Sequence, residues 1–228
     1  MTAVNYYLAA DVRELDRIAI QEKGIPGFTL MQRAGQAAFD ALQTRWPNTE
    51  SVICFCGSGN NGGDGYVIAA LTAQRGLRSE VIAVGSTDKL KGDARLAYES
   101  AVAAGATIVP LDAYTSEELE KFDRSTVLVD AMLGIGLSGN ITGQTLDVIR
   151  MINASPCSVM SVDIPSGLCS DTGKILGNAI KADLTVTFIG RKLGQVRGSG
   201  PAQCGELLFD DLDVPGETYK QVSPAASE

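Results

Sequence analysis

Three glycine-rich stretches of the sequence carry the polar residues that could bind a ligand or move a proton. The first, residues 54–70, reads CFCGSGNNGGDGYVIAA. It passes from an apolar segment through a glycine-rich turn into a helix-like segment, and this layout lets backbone N–H groups converge on a phosphate. A single glycine turn could also be an ordinary loop. Five glycines among two asparagines and an aspartate instead indicate a nucleotide-binding loop.

The other two stretches follow later apolar segments. DAMLGIGLSGN begins at Asp130, and DIPSGL begins at Asp163. Each aspartate ends a segment that is typical of a buried strand, where a carboxylate needs donors or a cation, although either could simply cap the following turn. Asn61, Asp130 and Ser166 offer oxygen ligands, which suit a hard cation. A single carboxylate supplies too little negative charge for a typical site of a divalent ion. A monovalent ion, with backbone carbonyls as its remaining ligands, fits this set better.

Acid–base chemistry in this chain has few candidate residues. The sequence contains no histidine, which leaves Asp, Glu, Lys, Tyr, Cys or water for proton transfer. We choose Asp163 as the first catalytic candidate, because it ends a strand beside both other glycine-rich loops. Lys192 is the second candidate and could meet a phosphate or a reacting oxygen. It could also be an exposed lysine without a role.

Apolar, β-branched segments alternate with helical stretches from residue 51 onward. The predicted strands are residues 51–56, 80–85, 106–110, 126–131, 158–164 and 184–189, with a possible edge strand at 205–209. The predicted helices are residues 65–75, 92–104, 116–122 and 142–153, preceded by two helices within residues 11–45. This alternation predicts an α/β fold, a Rossmann-like three-layer sandwich with a mostly parallel central sheet.

The order of the strands then determines where a ligand would bind. In the usual order 3-2-1-4-5-6, the first, fourth and fifth strands lie side by side, and ligands bind at their carboxyl ends. The three glycine-rich stretches follow these three strands. The topology therefore predicts a single pocket lined by all of them.

Composition sets the class of protein. The 228 residues suit one domain, which we predict over residues 1–213, followed by a flexible tail over 214–228. The net charge of −8 argues against a nucleic-acid partner. We find no apolar run long enough for a membrane span and no signal peptide, and five scattered cysteines are typical of reduced thiols. We therefore expect a cytoplasmic protein without a membrane or nucleic-acid partner.

Taken together, the motifs GNNGGDGYVIA, VDAMLGIGLSG and SVDIPSGLCSDTG, in this order and spacing, resemble those of the NAD(P)H-hydrate epimerases, the YjeF N-terminal domain family. The resemblance covers about residues 11–213. It implies a Rossmann-like fold, usually a homodimer, and an isomerase that interconverts the S and R epimers of 6-hydroxylated NADH and NADPH (NADHX and NADPHX), a metabolite repair reaction. The alternative is a non-catalytic nucleotide-binding or protein-interaction module of the same fold.

The resemblance also implies where the ligands bind. One potassium ion per subunit would lie at Asn61, Asp130 and Ser166. The hydrated nucleotide would contact Asn60, Asn61, Gly62, Gly63, Asp64, Gly134, Ile135, Gly136, Leu137, Ser138, Gly139, Asn140 and Asp163. A nicotinamide-dependent oxidoreductase is a further alternative, but the first loop lacks the GxGxxG spacing and the second strand does not end in an acidic residue.

Overall fold

The computed structural model describes residues 4–114 and 124–227, so the helix predicted over 116–122 lies outside the described residues. The strands are β1 (Asn5–Tyr7), β2 (Ser51–Cys56), β3 (Arg78–Ala83), β4 (Thr107–Pro110), β5 (Thr126–Ala131), β6 (Ser158–Val162), β7 (Leu184–Phe188), β8 (Arg191–Lys192), β9 (Glu206–Asp210) and β10 (Ala226–Ser227). The helices are α1 (Ala9–Arg17), α2 (Gly27–Arg45), α3 (Asn60–Gln74), α4 (Gly92–Ala104), α5 (Gly143–Ala154), α6 (Gly200–Cys204) and α7 (Gly216–Tyr219). None of these helices is long and apolar enough to cross a lipid bilayer.

Seven of the strands form the central sheet, in the order β4-β3-β2-β5-β6-β7-β9 with every neighbouring pair parallel. This arrangement confirms the predicted Rossmann-like α/β fold, with the strand order 3-2-1-4-5-6 and an added edge strand. All residues of β2 and β5 are buried. Their continuous apolar pattern is typical of parallel strands that are covered on both faces.

Helices cover both faces of the sheet. Side chains alternate along β2, so Val52 and Cys54 pack into the core that contains α2, α3 and α4. Ile53 and Phe55 point to the opposite face and pack with Ile149 and its neighbours on α5. This alternation is the two-residue period of a strand, and it produces the three layers that the sequence predicts.

Helix α3 begins five residues earlier than predicted, so three of the five glycines of the first motif, Gly62, Gly63 and Gly65, lie inside its first two turns. A Cβ atom on Gly65 would lie 2.6 Å from both Cys56 Sγ and Ala131 Cβ. A Cβ atom on Gly63 would lie 2.5 Å from Met31 Cε. Gly63 and Gly65 therefore let α3 pack closely on the sheet and on α2.

A second, three-stranded sheet in the order β10-β1-β8 joins distant parts of the chain. Tyr7 lies opposite Lys192, and Asn5 lies opposite Ser227. Much of the segment predicted as a flexible tail packs against the domain through α7, β10 and the buried side chain of Val222. Strands of two or three residues are too short for a recognisable periodic pattern, and the sequence analysis therefore missed them.

Candidate functional site

The turns that follow β2, β5 and β6 meet at the carboxyl edge of the central sheet. The first two turns touch through their backbones, since a Cβ atom on Gly57 would lie 2.0 Å from Met132 O. The second and third turns are joined by a hydrogen bond of 2.9 Å from Leu133 N to Ser166 Oγ. The three glycine-rich stretches therefore surround one site, as the topology predicts.

This site contains a cavity of about 820 Å³, within the usual range of about 300–1,000 Å³ for ligand pockets. The sequence-predicted residues that line it are Asn60, Asn61, Asp64, Gly134, Ile135, Gly136, Leu137, Ser138, Asp163 and Lys192. Gly62, Gly63, Gly139 and Asn140 are not among the lining residues. The structure thus brings most of the predicted nucleotide contacts to one wall, while their roles stay predictions.

Asp130 lies at the end of β5, is fully buried and is surrounded by donors. Ser166 donates to its carboxylate from both the hydroxyl, at 2.6 Å, and the backbone N–H, at 2.8 Å. Ser161 Oγ donates at 2.9 Å, and Met132 N lies 3.3 Å from the carboxylate. Burial raises the pKa of Asp130, and the hydrogen bonds from Ser166 and Ser161 oppose that rise. The carboxyl group is therefore held rigidly by neutral donors, and within the described part of the chain it has no ion-pair partner.

Asn61 lies at the start of α3, and both polar atoms of its buried side chain have no hydrogen-bond partner. The amide faces the second turn, where a Cβ atom on Gly134 would lie 3.7 Å from Asn61 Oδ1. A buried polar group without a hydrogen-bond partner destabilises the folded chain by about 1–3 kcal/mol, and a bound ligand that contacts the Asn61 amide would remove this cost. Asn61, Asp130 and Ser166 supply only oxygen donors with one carboxylate, and this set fits a monovalent cation.

Asp163 follows β6 in the left-handed backbone region, with φ of 66°. Gln195 Nε2 holds its carbonyl oxygen at 2.7 Å. On the side chain, Oδ1 forms an ion pair with Lys192 Nζ and accepts hydrogen bonds from Thr187 Oγ1 at 3.2 Å and Phe188 N at 3.3 Å. A strained backbone of this kind persists only where its surroundings fix it. The carboxyl group is thereby presented to the cavity in one orientation.

Lys192 is fully buried, so the alternative of an exposed lysine without a role is wrong. Its ammonium donates to Asp163 Oδ1, to Thr187 Oγ1 at 2.9 Å and to Phe188 O at 3.0 Å. An ammonium has three donors, and all three are used inside the protein. Lys192 is therefore placed to hold Asp163, and contact with a phosphate would require it to give up one of these bonds.

Three further carboxyl groups, those of Asp16, Asp64 and Asp93, line the same cavity. Burial raises the pKa of Asp64 well above its usual value, and the nearby charges of Asp163 and Asp16 raise it further, while Lys192 opposes the rise. Sequence reasoning did not select Asp16. Its spacing could have indicated it, because Asp16 lies four residues after Val12 and three before Ala19 and therefore shares the apolar face of the helix with them.

The close approach of the first turn to α3 yields a stability prediction. A Cβ atom on Gly62 would lie 1.9 Å from Gly57 O, a backbone atom that cannot move aside easily. We expect Gly62→Ala to lower the free energy of unfolding by about 1–3 kcal/mol or more, the usual effect of overpacking. Urea denaturation of the purified variant measures this change.

Gly59→Ala is the matched control, because nothing lies within 4 Å of a Cβ atom at Gly59. Gly59 is the N-cap of α3, where the same change costs at most about 1 kcal/mol. Equal stability of the two variants would contradict the packing role that we assign to Gly62.

Known proteins resemble this chain in both sequence and structure. A bifunctional NAD(P)H-hydrate repair enzyme Nnr of Coxiella burnetii is 41% identical over 216 residues, which span 95% of this chain but only 43% of that enzyme. An NAD(P)H-hydrate epimerase of Weissella koreensis is 32% identical, and the match spans 96% of this chain and 97% of that protein. The crystal structure of yeast ynu0 superposes with a TM-score of 0.83 at 18% identity, covering 98% of this chain and 96% of that one.

The family model described as YjeF-related protein N-terminus matches residues 27–194. This segment is more than half of the chain and contains all three motifs. The resemblance that the motifs indicated is thereby confirmed, and the chain belongs to the YjeF N-terminal family.

Proposed function

We propose that this chain is an isomerase that interconverts the S and R epimers of hydrated NADH and NADPH. The observation that carries the proposal is that one cavity is lined by Asn60, Asn61, the glycine-rich loop at 134–138 and Asp163 from the three motif turns, together with Lys192 of β8, which pairs with Asp163. A relative of nearly the same length, the Weissella koreensis protein, bears the name NAD(P)H-hydrate epimerase.

The reaction needs a group that accepts and returns a proton beside the hydroxylated ring carbon. The lone pair of the ring nitrogen can expel the hydroxyl group once it is protonated, and water can return to the opposite face of the iminium-type ring. In our proposal Asp163 is the acid–base residue, because its carboxyl group lines the cavity in a fixed orientation. Lys192 keeps that orientation through their ion pair.

The charge of the cavity supports an intermediate with a positive ring. Four aspartates line the wall, namely Asp16, Asp64, Asp93 and Asp163, whereas the only cationic lining residues among those described are Arg13 and Lys192. Carboxyl oxygens carry partial negative charge even when protonated, as the raised pKa values of Asp16 and Asp64 favour, and negative charge that faces developing positive charge lowers the barrier of a reaction. An acidic wall therefore suits an iminium-type ring better than it suits the phosphates of the dinucleotide.

The phosphates are assigned to backbone donors instead of side-chain cations. Helix α3 begins at Asn60 without a side-chain cap, the N–H groups at the start of a helix have no partner within it, and Asn60 and Asn61 line the cavity. The turn at Gly134 to Ser138 lines the same cavity and is closed by a hydrogen bond of 3.3 Å from Leu137 N to Gly134 O. We propose that these two backbone segments hold the pyrophosphate.

We further propose one potassium ion per subunit at Asn61, Asp130 and Ser166, supported by the unpartnered amide of Asn61 and the uncompensated buried carboxylate of Asp130. Potassium, when bound, would supply a positive charge between the three turns and so keep them close together. Assembly as a homodimer is also part of the proposal; it rests on the family resemblance, and sedimentation velocity measures it.

The test of the proposed function is a direct assay of epimerisation. Enzyme is added to the purified S epimer and then to the purified R epimer of NADHX and of NADPHX, and chromatography follows the approach to equilibrium from both sides. We expect the chain to bring either epimer to the same mixture much faster than the spontaneous reaction. Binding of the dinucleotide without acceleration would instead identify the non-catalytic module of the same fold.

A further inference from the structure

Asp16 is a carboxyl group of the cavity wall that lies outside all three motifs of the sequence. It lies on α1, and its side chain lines the same cavity as Asp163 and Lys192. Its neighbours along the apolar face, Val12 and Ala19, are buried in the core. A charged group in such surroundings is costly unless it is paired. A polar function in the cavity would account for an aspartate at this position.

The charged and titratable groups that face Asp16 come from four elements. Lys192 on β8 attracts its charge, while Asp163 after β6 repels it. Asp64 on α3 and Tyr219 on α7 also interact with it electrostatically. The ammonium of Lys192 donates its three hydrogen bonds to other groups, namely Asp163 Oδ1, Thr187 Oγ1 and Phe188 O. Asp16 therefore interacts with the charge of Lys192 electrostatically but receives no hydrogen bond from its ammonium.

The basic residues of its own helix do not neutralise Asp16 either. Arg17 is bonded to Glu14 and Glu22, each at 2.7 Å. Arg13 donates to a backbone carbonyl of the second glycine-rich loop at 3.0 Å. Among residues 4–114 and 124–227, no group of three or more acidic or cysteine side chains is arranged to hold a metal ion. Among the residues that the structure describes, the carboxyl group of Asp16 thus lines the cavity without an ion-pair partner that fixes its protonation state.

We infer that Asp16 is a second acid–base residue of this site, which exchanges a proton with the substrate on one face of the ring while Asp163 does so on the other. The inference rests on the proposed epimerisation. Its geometric basis is that both carboxyl groups line one cavity, and only Asp163 is tied to a buried ammonium. Burial raises the pKa of Asp16 to about 6, near the range in which acid–base catalysis is most effective.

The proton balance of the reaction follows from this division. Protonated Asp16 gives its proton to the hydroxyl group, the C–O bond breaks with its electron pair on the departing water, and the nitrogen lone pair forms the C=N bond. Water then attacks the other face, the C=N electrons return to nitrogen, and the carboxylate of Asp163 takes the released proton. The reverse reaction uses the same residues in exchanged roles. Water in the cavity returns the proton to Asp16 between turnovers, so the active form carries one proton on the pair.

The kinetic test is the pH dependence of epimerisation in wild type and in Asp16→Asn. We expect kcat/KM of the wild type to fall as the pH rises above about 6, because Asp16 loses its proton. Asp16→Asn is expected to lower kcat by about 10²-fold or more, with little change in KM and without that fall. Asp16→Glu should recover part of the rate. Glu14→Gln, an equivalent change on the solvent side of the same helix, should keep the wild-type rate and profile.

The stability test needs no substrate. The pKa of Asp16 is higher in the folded chain than its ordinary value, so ionisation of this group between about pH 4 and pH 6 opposes folding. Asp16→Asn removes this cost, and we expect its Tm to exceed that of the wild type at neutral pH but not near pH 4. A variant with a lower Tm at both pH values, or with wild-type kinetics and an unchanged pH profile, would overturn the inference.

These outcomes separate the two proposals. If the wild-type chain epimerises NADHX and Asp16→Asn does so within a few-fold, the proposed function stands and the role of Asp16 is wrong. If the wild-type chain does not epimerise either substrate, the proposed function fails and the inference fails with it.

Discussion

Replacement of Asp163 by asparagine is expected to lower the rate of epimerisation by about 10²–10⁴-fold, the usual contribution of a positioned acid–base group. The change keeps the shape of the side chain and removes its ability to take up a proton. Because Asp163 Oδ1 accepts its hydrogen bonds from Lys192, Thr187 and Phe188, an amide oxygen in the same place retains most of these contacts. Rates measured with each epimer, together with dinucleotide binding by calorimetry, separate lost chemistry from lost affinity.

The partner variant, Lys192→Met, distinguishes a catalytic carboxylate from a structural ion pair. Loss of the ammonium leaves the carboxylate of Asp163 without its cation in a largely buried position, which typically destabilises a protein by about 3–5 kcal/mol. The double variant Asp163→Asn/Lys192→Met removes both charges and should recover much of that stability but none of the activity. If Asp163→Asn alone keeps a rate within a few-fold of wild type, Asp163 is not the acid–base residue.

Exchange of potassium for choline is expected to lower both the rate, by about tenfold or more, and the Tm. An ion that binds only the folded chain stabilises it by about 2.7 kcal/mol at a hundred times its dissociation constant. The buried carboxylate of Asp130 gains a matching charge, and the orphaned oxygen of Asn61 gains a partner. Tm scans at equal ionic strength in potassium, sodium and choline chloride measure the response without substrate.

Asp130→Asn tests whether that response belongs to the proposed site. The variant should have low activity in every salt, and its Tm should no longer depend on potassium. Asp147→Asn is the matched control, because Asp147 lies on the exposed face of α5, paired with Arg150. A wild-type chain with equal rate and Tm in potassium and choline would contradict the potassium proposal.

The sequence was sufficient to predict the parts of the site that depend on topology. The alternation of strands and helices indicates a parallel sheet, for which we expect the usual strand order, and Asp130 and Asp163 each stand at the end of a buried strand. Loops that follow neighbouring parallel strands must meet at one edge. The position of Asn61 follows from the same rule, because it lies directly after the central strand.

The residues that sequence reasoning misjudged depend on packing and not on topology. Lys192 lies in a strand of two residues. Its buried ammonium is stabilised by three acceptors, on Asp163, Thr187 and Phe188, which only the folded chain brings together around it. Lysine is rarely buried, so composition favours the opposite result. Asp16 looks like one polar residue in an amphipathic helix until α1 is placed against the cavity. The packing role of Gly62, Gly63 and Gly65 was not predicted either, because a sequence does not reveal how near the neighbouring parts of the chain lie.

The short sheet β10-β1-β8 has a practical consequence for work on this protein. Tyr7 pairs with Lys192, and Asn5 of the same strand pairs with Ser227, so the backbone that carries the buried ammonium is one strand away from both extremities of the described chain. An affinity tag, a fusion partner or a trimmed terminus that disturbs residues 5–7 would therefore disturb Lys192, although residues 5–7 do not themselves line the cavity. Tags at either end should be cleaved, or compared with one another, before a low rate is attributed to a substitution.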